Sequence, residues 1–556
     1  MAVSANLLAV PVAAPLLAAA LILLFARWGG RRRIRQQIAL TSLALCLNLA
    51  AAAILFQATA GRGERFVLQL GDWSAPFGIT FYGDGLSATL LLLTAIVALA
   101  VYPFAVATID YHRARMGFHP LYLFLLMGVN GAFLSGDLFN LYVFFEVLLM
   151  ASFVLLTIGA QPAQTNSGIR YVVLNLLAST IFLVAAGVAY GTLGTLNMAQ
   201  IAERLPVASP AVQTVFAGLL LVSFGSKAAI FPLFFWLPAS YHTPPPAVTA
   251  LFGGLLTKVG IYTLFRSFTL FFPELLVSWQ PVLLTISGAT MLVGALGALA
   301  QPGIRRVLSF HIISHVGFML MGLAVAQSGN RLAVGFGLGA AVIYLCHHMI
   351  IKTALIMAGG AVELHMGSDR LVSIGGLVTR QPLLAFLFFM SAISLAGVPP
   401  FSGFVSKLSL LQITLDTRHW VVSGVSLFAS LLTMINMMRL WRESFWGEYN
   451  RPSRVPVRIL QSRIRQRLML TPVAVLVLLS LALGIWGGPA ITLSMRVAQQ
   501  ALDRQAYIEA VSPSSRISTA DADLHLISSG TYLPVSPVAK SGTAAHAPPI
   551  SRGSVR

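Results

Sequence analysis

Acidic side chains are scarce in this chain, with 17 Asp and Glu against 36 Lys and Arg in 556 residues, and charged residues of all types reach only 10%. A soluble domain keeps about a quarter of its residues charged, so this composition, with 57% hydrophobic residues, excludes a solvated globular surface. Cysteine is nearly absent too. Cys46 and Cys346 both lie inside apolar runs and outside any CxxC context, which excludes a disulfide framework or an iron–sulfur site and leaves free buried thiols as the expectation. No GxGxxG joins a strand to a helix, so no cofactor or metal is expected, and any redox centre would reside in partner chains.

What the chain has in abundance is membrane-length apolar sequence. About fourteen runs of roughly 20 residues each match a ~30 Å hydrocarbon layer, which makes the chain an all-α polytopic membrane protein. The run from Leu7 to Ala26 has no basic residue before it and Arg27, Trp28 and Arg31 to Arg33 after it, the reverse of a secretory signal, and reads as the first membrane helix. The net charge of +19 falls periodically along the chain. Arg27 to Arg35, Arg113 with Arg115, Arg305 with Arg306, Arg370 with Arg380, and the Arg439 to Arg467 segment share one side, leaving scattered arginines such as Arg204, Arg331 and Arg418 on the other. The positive-inside rule then puts the arginine-rich loops in the cytoplasm of a bacterial inner membrane and both termini outside. Most of the charge is topology information rather than a nucleic-acid footprint.

Membrane helices 1–3 are expected over residues 1–107, helices 4–8 over 108–268, helices 9–13 over 279–440, a basic interfacial linker over 441–468 and helix 14 over 469–488. Residues 489–556, rich in Ser, Ala and Pro, read as a largely disordered external tail, with room for a short amphipathic helix near Leu493 to Ala510.

Against this background a few ionisable residues stand out inside the apolar runs: Glu146, Lys227, Lys258, His348, Lys352 and Lys407. A charge at a helix centre costs roughly 2.5 to 3.5 kcal/mol on insertion scales, so such residues persist where they face a polar interior. Two of the runs are also interrupted. The seventh carries Pro232 five residues after Lys227, and the twelfth carries Gly397, Pro399, Pro400 and Gly403 just before Lys407. Proline removes a donor and clashes with the preceding turn, and broken backbone is tolerated in a bilayer only where it lines a cavity or is packed in protein. Two interrupted spans five helices apart predict two five-helix units, and because five is odd the second would be inverted relative to the first. The competing reading is simple proline kinks with snorkelling lysines.

Glu146 lies about 12 Å along its helix from the polar edge marked by Asp137 and Asn140, so its charge state should report whether an ammonium such as that of Lys227 is close. A carboxylate and an amine coupled in this way pass a proton as one unit. Lys258 has no acid near it in sequence and is a proton-carrier candidate. His348 with Lys352, and His311 with His315, are four apart and share a helical face, and His347 adjoins the first pair. Lys407 beside the second break would end the series.

The strings "GDLFNLYVFFEVLL", "FGSKAAIFPLFFWLPASYHTPPPAVTALFGGLLTKVGIYTLFR", "HHMIIKTALIMAGG" and "GVPPFSGFVSK" together resemble the antiporter-like family shared by the large membrane subunits of respiratory complex I, membrane-bound hydrogenases and Mrp (Mnh, Pha) multisubunit cation/proton antiporters. The similarity runs over about residues 80 to 440, and the wording around Glu146 is most similar to the D-type branch of the Mrp antiporters. The resemblance implies a fourteen-helix fold with inverted repeats broken in helices 7 and 12. It also implies a proton relay along Glu146, Lys227, Lys258, His348, Lys352 and Lys407, with His311, His315 and His347 as further relay candidates. Implied partners are antiporter subunits of the A, B, C, E, F and G types, with protons and Na⁺ or K⁺ as substrates. The alternative is a proton-pumping subunit of a complex I-like oxidoreductase or membrane-bound hydrogenase; the absence of a long lateral helix after span 14 argues against the distal complex I subunit. A passive channel would favour a continuous hydrated pore over spaced, buried titratable sites.

Overall fold

In hydrocarbon every backbone N–H and C=O must find its partner within the protein, so the apolar runs close their hydrogen bonds as helices. The computed structural model describes residues 3–25, 31–325, 331–449 and 462–512. Its long helices are α1 (Val10–Phe25), α2 (Arg31–Phe56), α3 (Gly85–Thr108), α4 (Phe118–Leu134), α5 (Leu138–Thr157) and α6 (Pro162–Leu193). They continue with α7 (Pro210–Ala228), α8 (Pro246–Phe271), α9 (Pro273–Leu299), α10 (Ile304–Val325) and α11 (Arg331–Met366). After these come α12 (Pro382–Ala396), α13 (Ser402–Asp416), α14 (Trp420–Phe445), α15 (Arg463–Ile485), α16 (Gly487–Leu502) and the shorter α17 (Arg504–Val511). Among the described residues twelve helices are long and apolar enough to cross a membrane, and α4 and α12 are apolar but shorter. The all-α polytopic membrane class expected from composition is the observed one. The sequence reading did not anticipate an antiparallel hairpin of β1 (Phe66–Gln69) and β2 (Thr80–Gly83), paired Phe66 to Gly83 and Gln69 to Thr80, that leads into α3.

The helices are layered by burial. The most apolar stretch of α8 is 100% buried and those of α10 and α11 are 94% buried, whereas in α1 and α15 only 33% is. The outer helices therefore present Leu17, Leu24, Leu177 and Leu478 outward, as a lipid-facing surface does. The inner three carry Lys258, the four histidines and Lys352. Helix α11 packs against α8, α10, α12, α13 and α15, which makes it the axis of the fold.

Both expected breaks are present and are built alike. Helix α7 stops at Ala229, whose φ of 63° is left-handed, and the Ile230 N–H reaches back to Gly225 O at 3.0 Å. Helix α12 stops at Gly397 with φ of 92°, and the Val398 N–H reaches back to Ile393 O at 3.1 Å. In each case a residue past the end satisfies carbonyls that the helix leaves open. Pro232 lies in the first gap, before a short helix at Trp236–Ser240, and Pro399 and Pro400 lie in the second. Gly403, expected within the second break, is instead the second residue of α13.

Other expectations need correcting. The tail expected over 489–556 is ordered at its start, where the short amphipathic helix allowed for near Leu493 to Ala510 is present as α16 and α17, which continue to Val511, and α16 packs on α3, α8 and α11. Gln500 accepts from Gly85 N at 2.9 Å and donates to Thr59 O at 3.1 Å, while Asp503 pairs with Arg65 at 2.8 Å. These polar contacts add to an apolar face of Val497, Ala498, Ala501, Tyr507 and Ile508 that is buried in the core. Residues 513–556, residues 450–461 of the expected 441–468 linker, and the loop holding Arg27 and Trp28 lie outside the described residues. Cys46 is exposed on α2 rather than buried; Cys346 is partly buried.

Two ion pairs tie the ends of the inner helices. Arg266, late in α8, meets the Asp84 carboxylate at 2.7 Å, and the same oxygen caps α3 by accepting from Ser87 N at 2.9 Å. The rings of Tyr82, Tyr262 and Tyr507 surround the guanidinium at 5.5 to 5.6 Å. At the other end Arg305 holds Glu363 at 2.7 Å and donates to Pro244 O, joining α10, α11 and the segment before α8. Burial opposes the charge on Asp84, but the Arg266 guanidinium and the hydrogen bonds outweigh it and hold this carboxyl below its ordinary 3.8. A depressed carboxylate contributes stability that is complete above its unfolded value and lost as pH falls through the folded one. Asp84→Asn should therefore lower the thermal midpoint of the detergent-solubilised protein at neutral pH, by the equivalent of about 3 kcal/mol for a broken buried pair, with the deficit closing below about pH 4. A midpoint equal to wild type at pH 7 would count against the pair as a fastening.

Candidate functional site

The first cluster forms where α5, α6 and α7 meet. Asp137 caps α5 through the N–H groups of Phe139 and Asn140 at 2.8 and 3.0 Å, which starts the helix and sets Glu146 two and a half turns further on. Lys227 occupies the last turn of α7, is 6% exposed, and donates from Nζ to Ser179 Oγ at 2.9 Å. Its ammonium lies 4.7 Å from the centre of the Phe145 ring. Glu146 and Lys227 thus make no direct ion pair. They interact through space, and one oxygen of Glu146 is buried with no protein partner. The predicted acid–amine pair is a pair at a distance, with the amine held by an aromatic face and a serine.

The second cluster fills the centre. Lys258 Nζ donates to Gly253 O, one turn earlier in α8. Lys352 on α11 is fully buried and its Nζ has no partner among the described residues. Neither ring nitrogen of His348 or of His311 has one. The His348 ring stacks on that of His315 at 4.9 Å, and His315 Nδ1 bonds Tyr344 OH. Lys407, near the start of α13, donates to Ala396 O at 3.0 Å, satisfying the open end of α12, and lies 5.5 Å from the Phe318 ring centre. Charge reaches from Lys258 to Lys352 and His348, and from Lys407 to His311, His315 and His347.

Of the candidate residues, Lys258, Lys352, His348, His311, His315, His347 and Lys407 are brought into one buried group. Glu146 and Lys227 stand apart from it. The two groups meet through backbone, since a Cβ on Gly260 in α8 would come within 2.5 Å of Ala228 N at the end of α7. Sequence reasoning missed Ser179, Tyr344, Phe145 and Phe318; an aromatic or serine in an apolar run carries no signal until its neighbours are known. It also missed the Asp84–Arg266 and Arg305–Glu363 pairs, which join residues far apart in the chain. Outside the spans, His242 is pushed down to about 4, first by burial and then by Arg306 and Arg305, so it stays neutral at physiological pH.

No group of three metal-ligating side chains occurs among the described residues. What the arrangement offers is a set of amines and imidazoles, screened from water, each of a type that can bind and release a proton. A Cβ on Gly397 would be strained at its positive φ and would sit 2.8 Å from Lys407 Cδ, whereas Ala229 already bears one at φ of 63°. Gly397→Ala should displace Lys407 and lower ion exchange at least several-fold in membrane vesicles, while Ala229→Gly should retain it. Equal rates in the two variants would show that Lys407 placement does not depend on this turn.

A family described as NADH:quinone oxidoreductase/Mrp antiporter, transmembrane, matches residues 135–433. The chain is 40% identical to the D subunit of the Na(+)/H(+) antiporter of Alkalihalophilus pseudofirmus over 507 residues, covering 91% of this chain and 99% of the relative. It is 36% identical to the protein of the same name from Bacillus subtilis over 510 residues, with the same coverage. A chain in the Mrp complex structure from Dietzia sp. superposes with a TM-score of 0.83 at 35% identity, covering 92% of this chain and all of that one. A chain of an archaeal membrane-bound sulfane sulfur reductase superposes with a TM-score of 0.80 at 24% identity over 91% of this chain, a likeness of fold alone. With the family match spanning more than half of its length and its relatives matched nearly end to end, this chain belongs to the NADH:quinone oxidoreductase/Mrp antiporter family, in the D-type branch of the Mrp antiporters.

Proposed function

We propose that this chain is the proton-translocating membrane subunit of a multisubunit monovalent cation/proton antiporter, a secondary transporter component rather than an enzyme. The observation that carries the proposal is the central group of buried amines and imidazoles on α8, α10, α11 and α13, held where burial is most complete. Protons pass along Glu146, Lys227, Lys258, His348, Lys352 and Lys407, with His311, His315 and His347 beside the path, and are exchanged for Na⁺ or K⁺ together with subunits of the A, B, C, E, F and G types. The chain sits in a bacterial inner membrane with its arginine-rich loops in the cytoplasm and its termini outside. The matching caps at Ala229 and Gly397 support two inverted five-helix units, each broken at the same place. The redox-driven alternative ranks second, because the relatives at 35% identity and above are antiporter proteins.

Glu146→Gln and Lys227→Ala should each abolish cation/proton exchange in everted vesicles while the complex still assembles. A pH-sensitive dye with Na⁺ or K⁺ added reads the exchange, and co-purification of the companion subunits reads assembly. Exchange retained in both variants would overturn the relay.

A further inference from the structure

The second break contains a set of side chains that the relay does not use. Ser394 lies in the last turn of α12, Ser402 opens α13, and Ser480 lies on α15, whose apolar stretch carries no charged residue. Their hydroxyls form a chain that ends on a histidine: Ser394 Oγ to Ser480 Oγ at 2.8 Å, Ser480 Oγ to Ser402 Oγ at 2.8 Å, and Ser402 Oγ to His347 Nδ1 at 2.8 Å. All four residues are at most 2% exposed. Glycine makes the approach feasible, since a Cβ on Gly484 would fall 2.0 Å from Pro400 O, and one on Gly403 would fall 1.9 Å from Ser394 O and 3.1 Å from His347 Nε2. Helix α15 thus lies backbone to backbone against the broken segment, and Ser480, one turn before Gly484, fits between its two halves.

The chain has three hydroxyl hydrogens and three hydrogen bonds, so its direction can be counted. If Ser394 donates to Ser480, Ser480 to Ser402 and Ser402 to His347 Nδ1, every hydroxyl hydrogen is used and the Nε2–H alone stays unmet. Reversed, Nδ1–H donates, the Ser394 hydrogen has no acceptor in the chain and Nε2 is an unpaired acceptor as well, so two buried groups go unmet instead of one. The first direction makes Nδ1 an acceptor, so the neutral ring carries its hydrogen on Nε2. That nitrogen has no partner among the described residues. The groups around the ring are Lys407 from α13, His315 from α10, and Tyr344 and His348 from its own helix.

We infer that Ser480 and Ser402 are positioning residues that lock His347 in its Nε2–H form, so that the ring stands beside Lys407 as a neutral dipole and cannot trap the proton that Lys407 carries. This rests on the relay proposed above and changes the part played by His347 within it, from carrier to guard. Without the hydroxyl chain, Nδ1 holds the hydrogen as readily, Nε2 becomes an acceptor, and a protonated imidazole beside Lys407 repels the next proton.

The test is cation/proton exchange in vesicles holding the complete antiporter, with Ser480→Ala, Ser402→Ala, the double variant, Ser480→Thr and Lys227→Ala compared. Each alanine variant is expected to slow turnover about three- to tenfold, the range for one lost hydrogen bond, with the KM for the cation unchanged and the acid limb of the pH profile moved to higher pH. The double variant is expected to be no slower than the slower single, and Ser480→Thr to recover both rate and profile. If Ser480→Ala fails to assemble, Ser402→Ala decides, because it breaks the same chain on another helix. Wild-type rate and pH profile in assembled alanine variants, or effects that multiply in the double, would overturn the inference while an inactive Lys227→Ala left the relay standing. An active Lys227→Ala would instead overturn the relay, and this inference with it.

Discussion

An ammonium group removed from water must be surrounded by groups that make up for the lost hydration, and the rest of this fold can be derived from that requirement. Lys227 has a serine hydroxyl and an aromatic face, Lys258 a carbonyl of its own helix, and Lys407 the open carbonyl end of α12 together with the Phe318 ring. Two of these three solutions depend on carbonyl oxygens, and one of the two requires a helix to be interrupted, because a continuous helix uses its carbonyls internally. Interruption, in turn, is tolerable only inside a protein shell. Hence the outer helices α1, α2, α6 and α15 enclose α8, α10 and α11, while at the breaks the lysines turn inward to their partners and Pro232, Phe235, Pro399 and Pro400 are exposed.

The interior is held in place from its ends. Asp84–Arg266 and Arg305–Glu363 lie at opposite ends of α8 and α11, the two helices that carry Lys258 and Lys352. Each pair joins elements that are remote in sequence, so neither helix can slide without separating buried opposite charges. Between the pairs, contact is backbone to backbone at Gly260 and Gly403, which leaves little freedom for the side chains in between. The titratable groups are thus set by rigid neighbours rather than by direct ion pairing.

How much of this was legible in the sequence follows from the range of each interaction. Apolar runs were legible because the bilayer fixes their length, and the breaks at Ala229 to Phe235 and Gly397 to Phe401 were legible because proline and glycine act on their own turn. The stranded lysines were legible because nothing in an apolar run explains them. The sequence could not show that Lys227 is held by the Phe145 ring and by Ser179 on a third helix rather than paired with Glu146. It left room for an amphipathic helix near Leu493 to Ala510 but could not show what that helix packs on. There Val497, Ala498, Ala501, Tyr507 and Ile508 join the core, and Gln500 and Asp503 bond Thr59, Gly85 and Arg65, more than 400 residues earlier in the chain. Gly403 was misplaced for a similar reason: its role is to admit His347, a contact between helices that resembles a local breaker when read along the chain.

The scarcity of acid acquires a physical sense in the centre. In the group around Lys352 the titratable residues are amines and imidazoles, with no carboxylate among them to hold a positive charge in place. Like charges oppose each other more strongly in a medium of low effective dielectric than in water, so a carboxylate among these amines and imidazoles would offset that repulsion and hold a positive charge in place. The one carboxylate among the proposed relay residues, Glu146, stands instead at the separate Lys227 site.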